Sequence, residues 1–276
     1  MRILVRHSTT YRYSEPARFV IQRLLLTPRH CASQHVRRWR VEVDQDCRLH
    51  DREDSFGNVL HSLSAEGPLT SITTSVEGEV ETFDTQGVVQ GAIERFPPAL
   101  YLRETALTAP DAMLKALSAE IAGGEGGALD RLHALCARIC ETMTFDVDAT
   151  NAGTSAAEAI KRGRGVCQDF AHMFVAAARG FGAPARYVSG YFRRDDGADA
   201  QIAGHAWAEA YVEHLGWVGF DPAHGLSPND SYIRVAIGLD AADAAPVRGS
   251  RVGGGGEAME VNVKVEAAWG QSQSQG

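Results

Sequence analysis

The spacing of apolar residues changes period along this chain, and that change limits the folds open to it. In the first eighty or so residues apolar and polar side chains alternate, in Arg38–Asp44 (RWRVEVD) and again in Ser71–Phe83 (SITTSVEGEVETF). A period of two turns one row of side chains to a core and the next to water, so this half predicts short antiparallel strands. Asp54-Ser55-Phe56-Gly57-Asn58 and Glu66-Gly67-Pro68 supply turn chemistry between them. From Ala112 apolar residues recur instead at three- and four-residue steps, over Ala112–Ile121 and Ala128–Met143. Asp111 and Asp130 stand near the two starts as caps, and Gly123-Gly124 closes the first helix. Ser155-Ala-Ala-Glu158 is a capping box opening a short helix that Gly163 and Gly165 end.

A further helix starts close to Cys167 and stops at Gly180; it is small-residue-rich and apolar on most sides, so it belongs inside its domain. Three runs rich in Val, Tyr, Phe and Trp follow, Ala185–Phe192, Gly204–Val212 and Trp217–Asp221, and predict consecutive strands. The chain therefore divides into an antiparallel β domain over 1–90, a proline-punctuated linker over 91–110, an α+β domain over 111–245 and a carboxy-terminal part over 246–276. That last part holds the Gly253–Gly256 run, one alternating strand over Glu260–Val265 and a Gln/Ser/Gly end expected to fray.

Composition narrows the function classes. With 276 residues, 44% hydrophobic and 22% charged, the chain can bury a real core, which rules out disorder as its main character. Its 27 Lys+Arg against 35 Asp+Glu leave a net charge of −8, a poor match to a phosphate backbone, so no nucleic-acid partner is expected. The ARFVIQRLLLTPRH and VRRWR stretches are locally basic, as solvated strand faces commonly are. No run of about 18 apolar residues occurs, and the start MRILVRHSTTYRY lacks a signal-peptide core, so the expectation is a cytoplasmic chain with no membrane partner. Five cysteines (31, 47, 136, 140 and 167) are the wrong arithmetic for a disulfide framework.

Cys167 sits where chemistry is favoured. The positive end of a helix dipole stabilises a thiolate, and glycines at 163 and 165 open the chain just before it. Inert packing is the competing reading for any lone cysteine. In the strand after Gly204, alternation puts His205, Trp207, Glu209, Tyr211 and Glu213 on one face. A hairpin turning near Glu213 then brings His205 opposite or diagonal to Asp221, with Cβ atoms roughly 5–8 Å apart. Thiol catalysis needs a nucleophile, a base beside it and a group that fixes the base's tautomer, and Cys167, His205 and Asp221 are of the right types.

The strings GVCQDFAHMFVAAARGFGAPARYVSGYF (Gly165–Phe192) and GHAWAEAYVEHLGWVGFDPAHG (Gly204–Gly225) resemble the bacterial transglutaminase-like proteins, a branch of the papain-like thiol enzymes. The likeness extends to Tyr11-Arg-Tyr13, Leu24–Arg29, Asp54–Asn58 and Ala245–Gly249, and so to nearly the whole chain. It implies a papain-like, transglutaminase-type α+β core preceded by an antiparallel β-sandwich-like domain, with Cys167 as nucleophile, His205 as base and Asp221 completing the triad. It also implies attack on the amide carbonyl of a peptide or protein through a thioester, with water or an amine as acceptor and no metal or organic cofactor. Animal members use an upstream tryptophan to hold the oxyanion, and no Trp lies between Trp39 and Trp207. Backbone N–H groups at the helix start, including that of Cys167, are then the expected donors, with Gln168 second.

Asp169 and His172 are candidates to orient the helix or shape the pocket, as is Trp207 on the His205 face. Arg164 and Arg186 are expected at the surface or a domain interface. His133, Cys136 and Cys140 share helical spacing but lack a fourth ligand and read as core packing. The loop Asp195–Asp199 lacks calcium-loop spacing and reads as a solvated turn. Two other functions stay open: a non-catalytic scaffold that binds peptides or partners, and a zinc hydrolase.

Overall fold

The computed structural model describes residues 1–195, the backbone of 200–201, and 203–268. Most of the acidic loop, residues 196–199, and the Gln/Ser/Gly end lie outside the described residues.

Strands β1 (Arg2–Thr27), β2 (Gln34–Val43), β3 (His50–Glu53) and β4 (Val59–Thr82) form the amino-terminal half. Two of them are far from the short strands expected: β1 has 26 residues and β4 has 24. Strict alternation fails where β1 is buried on both sides, with Leu25 in one apolar cluster and Leu24 and Leu26 in another. Glu66-Gly67-Pro68 is likewise no turn but lies inside β4, where a Cβ on Gly67 would stand 2.0 Å from the Ala17 carbonyl oxygen of β1. The sheet folds over its own core of Val20, Leu24, Leu63, Ile72 and Val76. Trp39 of β2 closes that fold, its Nε1 donating to Leu26 O at 2.9 Å while its ring lies on bare Gly78.

The remainder runs β5 (Val88–Val89), a 3-10 turn (Pro98–Leu102), α1 (Ala112–Ala122), α2 (Ala128–Thr142), β6 (Thr144–Phe145), α3 (Ala156–Arg162), β7 (Arg164–Gly165) and α4 (Cys167–Gly180). Then come β8 (Ala185–Phe192), β9 (Ala200–Gln201), β10 (His205–Val212), β11 (Gly216–Phe220), β12 (Tyr232–Gly238), β13 (Val247–Gly253) and β14 (Glu257–Ala267). The helix ends follow their caps. Asp111 accepts from Met113 and Leu114 N–H, Ser155 and Glu158 close a reciprocal box, and Gly163 turns at φ +64°. Asp130 works from the third helical position, taking the Gly127 N–H at 2.8 Å.

A five-stranded antiparallel sheet, ordered β12-β8-β10-β11-β5, packs against α4, with α1, α2 and α3 around that helix. Every residue of α4 from Asp169 to Arg179 is buried, as its apolar circumference predicts. The other sheet has seven strands: β13 and β14 both return to pair with β1, joining residues some 250 positions apart. The alternation predicts one strand here; β13, VRGSRVG, hides in its glycines and arginines. A shared apolar cluster, with Ile3, Val5, Val80 and Val265 on one side and Ala171, Tyr191 and Ile233 on the other, joins the two halves. The whole is an α+β architecture with an amino-terminal β domain. Among the described residues no helix is long and apolar enough to cross a membrane.

Candidate active site

Cys167 is the first residue of α4 and is half-buried. Asp169, two residues on, fixes the turn beneath it: its Oδ2 accepts the Val166 N–H at 2.8 Å and the Thr150 hydroxyl at 2.6 Å. Burial pushes the Asp169 carboxyl up, and those two hydrogen bonds oppose the shift. Among the described residues no acceptor meets the N–H of Cys167 or Gln168, so two donors point out of the helix start. The Gln168 side chain is turned away, donating to Ala152 O at 3.3 Å.

His205 opens β10, and Asp221 follows β11. Ala208 faces Phe220 across that hairpin, which leaves His205 on the diagonal from Asp221. Their side chains meet, with His205 Nε2 2.6 Å from Asp221 Oδ2. The Cys167 sulfur is near enough to this ring to help it hold a proton. Burial alone lowers the affinity of this imidazole for a proton, but the Asp221 carboxylate and then the sulfur outweigh it, and His205 is pushed up to about 10. Burial likewise disfavours the Asp221 anion, yet His205 and His224 hold its carboxyl well below the usual range.

Two partners of Asp221 escape a sequence reading. Tyr232, the first residue of β12, donates its hydroxyl to Oδ2 at 2.7 Å, and His224 Nδ1 lies 2.8 Å from the same oxygen. The three-residue spacing from Asp221 is a local signal for His224; nothing local marks Tyr232. Tyr187 is a third missed residue, with its ring 5.1 Å from that of His172 and its phenol kept protonated by burial and by the charge of Cys167.

Trp207 belongs to the apolar layer that includes Val188 and Tyr232. It packs 6.1 Å behind the His205 ring and 5.4 Å from Tyr232, in the layer away from α4. His172 is fully buried, accepts the Ala241 N–H on Nε2 at 3.0 Å and is held neutral by burial, its pKa lowered to about 4.

Arg186, expected at the surface or a domain interface, is 0% exposed. It is opposite Glu209 in the β8–β10 register, with Nε 2.6 Å from its carboxylate, and it forks onto Glu94 at 2.7 and 2.9 Å. Trp217 stacks on its guanidinium at 3.8 Å, and Arg234 gives Glu209 a second cation at 2.6 Å. Opposite charges and an aromatic face together replace the water that a lone buried arginine would lose. Arg164 is exposed, 3.5 Å from Asp146.

His133 packs on Phe220 instead of joining Cys136 and Cys140 in a ligand set. His205, Asp221 and His224 do carry ligand atoms within 4.8 Å of one another. In this structure those nitrogens are engaged with the carboxylate.

Residues 115–222 match the profile of the transglutaminase-like superfamily, and residues 3–81 match that of the bacterial transglutaminase-like N-terminal region. An uncharacterized protein of Mycobacterium leprae is 31% identical, the alignment covering 96% of this chain and 98% of that one. Another, of Mycobacterium bovis, is 29% identical over 90% of this chain and 87% of the relative. A crystal structure from Cytophaga hutchinsonii, named as a candidate cysteine protease, superposes with a TM-score of 0.78 at 22% identity, over 98% of this chain and 92% of that one. That last likeness bears on the fold. The chain belongs to the transglutaminase-like superfamily.

Proposed function

We propose that this chain is a cysteine-dependent acyltransferase or amide hydrolase acting on a peptide or protein amide. The observation that carries the reading is the 2.6 Å contact of His205 with Asp221, with the Cys167 sulfur near enough to strengthen the imidazole's hold on its proton. In the first half-reaction the Cys167 sulfur bonds the carbonyl carbon while the unpaired N–H groups of Cys167 and Gln168 receive the developing oxyanion. The C–N bond breaks as the His205 proton passes to the leaving amine, and a thioester remains on Cys167. Water or an amine then gives its proton to His205 and attacks the thioester. The carbon–sulfur bond breaks, and the thiolate returns. Asp221 keeps the imidazole in the tautomer both halves need. No step calls on a metal or an organic cofactor. All five cysteines are unpaired, which suits the reducing cytoplasm as the working compartment.

Trapping the acyl-enzyme by mass spectrometry with a library of amide substrates tests this. A covalent adduct on Cys167, absent from Cys167→Ala, supports it. Alkylation of Cys167 by iodoacetamide no faster than that of a peptide thiol, and unchanged in His205→Ala, points instead to a peptide-binding scaffold. Turnover abolished by chelators and restored by zinc would favour the metal-hydrolase reading.

A further inference from the structure

One edge strand of the catalytic sheet is β12, and an edge strand exposes a row of N–H and C=O groups that something must satisfy. Here the amino-terminal domain does so with side-chain amides. Gln34 of β2, 2% exposed, donates to Arg234 O and accepts from Arg234 N, both at 2.8 Å. Asn58, 4% exposed, donates to Ile237 O at 2.8 Å and accepts from Ile237 N at 2.9 Å. Each amide imitates one residue of a neighbouring strand, a pairing that needs a donor and an acceptor on the same group. Both amides are themselves braced, Asn58 by Asp54 at 2.9 Å and Gln34 by the Arg29 carbonyl at 2.7 Å.

These grips bracket one catalytic-sheet residue. Thr82, at the end of β4, donates its hydroxyl to Asp230 O, two residues before Tyr232, and Gln34 holds Arg234, two residues after it. Between them Tyr232 reaches Asp221 Oδ2 at 2.7 Å. The stretch just beyond β4 holds the other approach to Asp221, since β5 pairs with β11 and Gly87 O accepts the Gly219 N–H at 2.8 Å.

We infer that the amino-terminal domain is a positioning element of the active site. Through Thr82, Gln34 and Asn58 it fixes β12 so that the Tyr232 hydroxyl holds the Asp221 carboxylate in line with His205. Tyr232, Gln34 and Thr82 are positioning residues, and the inference rests on the Cys167–His205–Asp221 reading above.

The test follows the rate of Cys167 alkylation by iodoacetamide against pH in the full chain, with melting temperature measured alongside. Tyr232→Phe is expected to slow alkylation at pH 7 at least threefold and to move its pH midpoint upward. Gln34→Ala and Thr82→Val should do the same, and Thr82→Ser, which restores the hydroxyl, should recover the wild-type profile. In the Gln34→Ala/Tyr232→Phe double variant the loss should not exceed that of Tyr232→Phe alone, because both act through one phenol. Additive losses, or variants that melt earlier with an unchanged pH profile, would overturn the inference. If Gln34→Ala does not fold, Thr82→Val against Thr82→Ser decides alone. Wild-type alkylation that ignores His205→Ala would instead sink the catalytic reading itself.

Discussion

A side chain on Gly165 would collide with Asp169: its Cβ would stand 2.4 Å from the Oδ2 atom that holds the Val166 N–H. The glycine two residues before the sulfur and the acid two residues after it thus form one device that sets where α4 begins. Gly165→Ala is expected to cost about 1–3 kcal/mol through overpacking. Asp169→Ala should cost about 1 kcal/mol as a lost cap. Thermal unfolding reads both, and each variant should also slow alkylation of Cys167.

Asp221→Asn keeps the size of the side chain but removes the charge that sustains the His205 imidazolium. Turnover of any amide substrate is expected to fall on the order of 10²–10⁴-fold. The fold should survive, because the Ala223 N–H keeps a carbonyl oxygen to donate to, while the Tyr232 hydroxyl meets an amide NH2 and turns to accept from it. Steady-state kinetics and a melting curve on the same preparation separate these two effects.

Stability should fall toward both ends of the pH range. His205 is raised from 6.5 to about 10 in the fold, so its contribution is whole below about pH 6.5 and is lost as pH climbs through 10. His7 and His172 run the other way. Burial lowers each from 6.5 to about 4, so their contribution is present above pH 6.5 and is lost as pH falls through 4. Denaturant midpoints measured across pH should show both slopes, and His205→Gln should flatten the alkaline one.

Arg186→Met leaves Glu209 with one cation where it had two and exposes Glu94 to a lost partner. Breaking a buried pair from one side typically costs about 3–5 kcal/mol. The double variant Arg186→Met/Glu209→Leu should recover part of this, though Arg234 then loses its own acceptor. Urea denaturation of the wild type, the two single variants and the double variant measures the coupling.

What a sequence discloses here depends on whether the deciding contact is local. The caps at Asp111 and Ser155, the buried circumference of α4 and the hairpin bringing His205 toward Asp221 all arise from residues near in number, and each stands where its spacing puts it. Tyr232, Gln34 and Asn58 carry no such mark, because their partners are chosen by the packing of two sheets. Arg186 misleads for the same reason: an arginine reads as surface until Glu94, Glu209 and Trp217 are brought around it. The length of β1 was obscured by its two-sided burial, which erases the alternation that signals a strand.

Because β1 is completed by β13 and β14, its residues wait for partners that the ribosome makes more than two hundred positions later. A nascent chain that stops short of β13 has β1 with one long edge still vacant, ready to pair with a neighbouring chain. Strands early and late in the sequence close this sheet together, and only then is the edge of the catalytic sheet gripped by a finished partner.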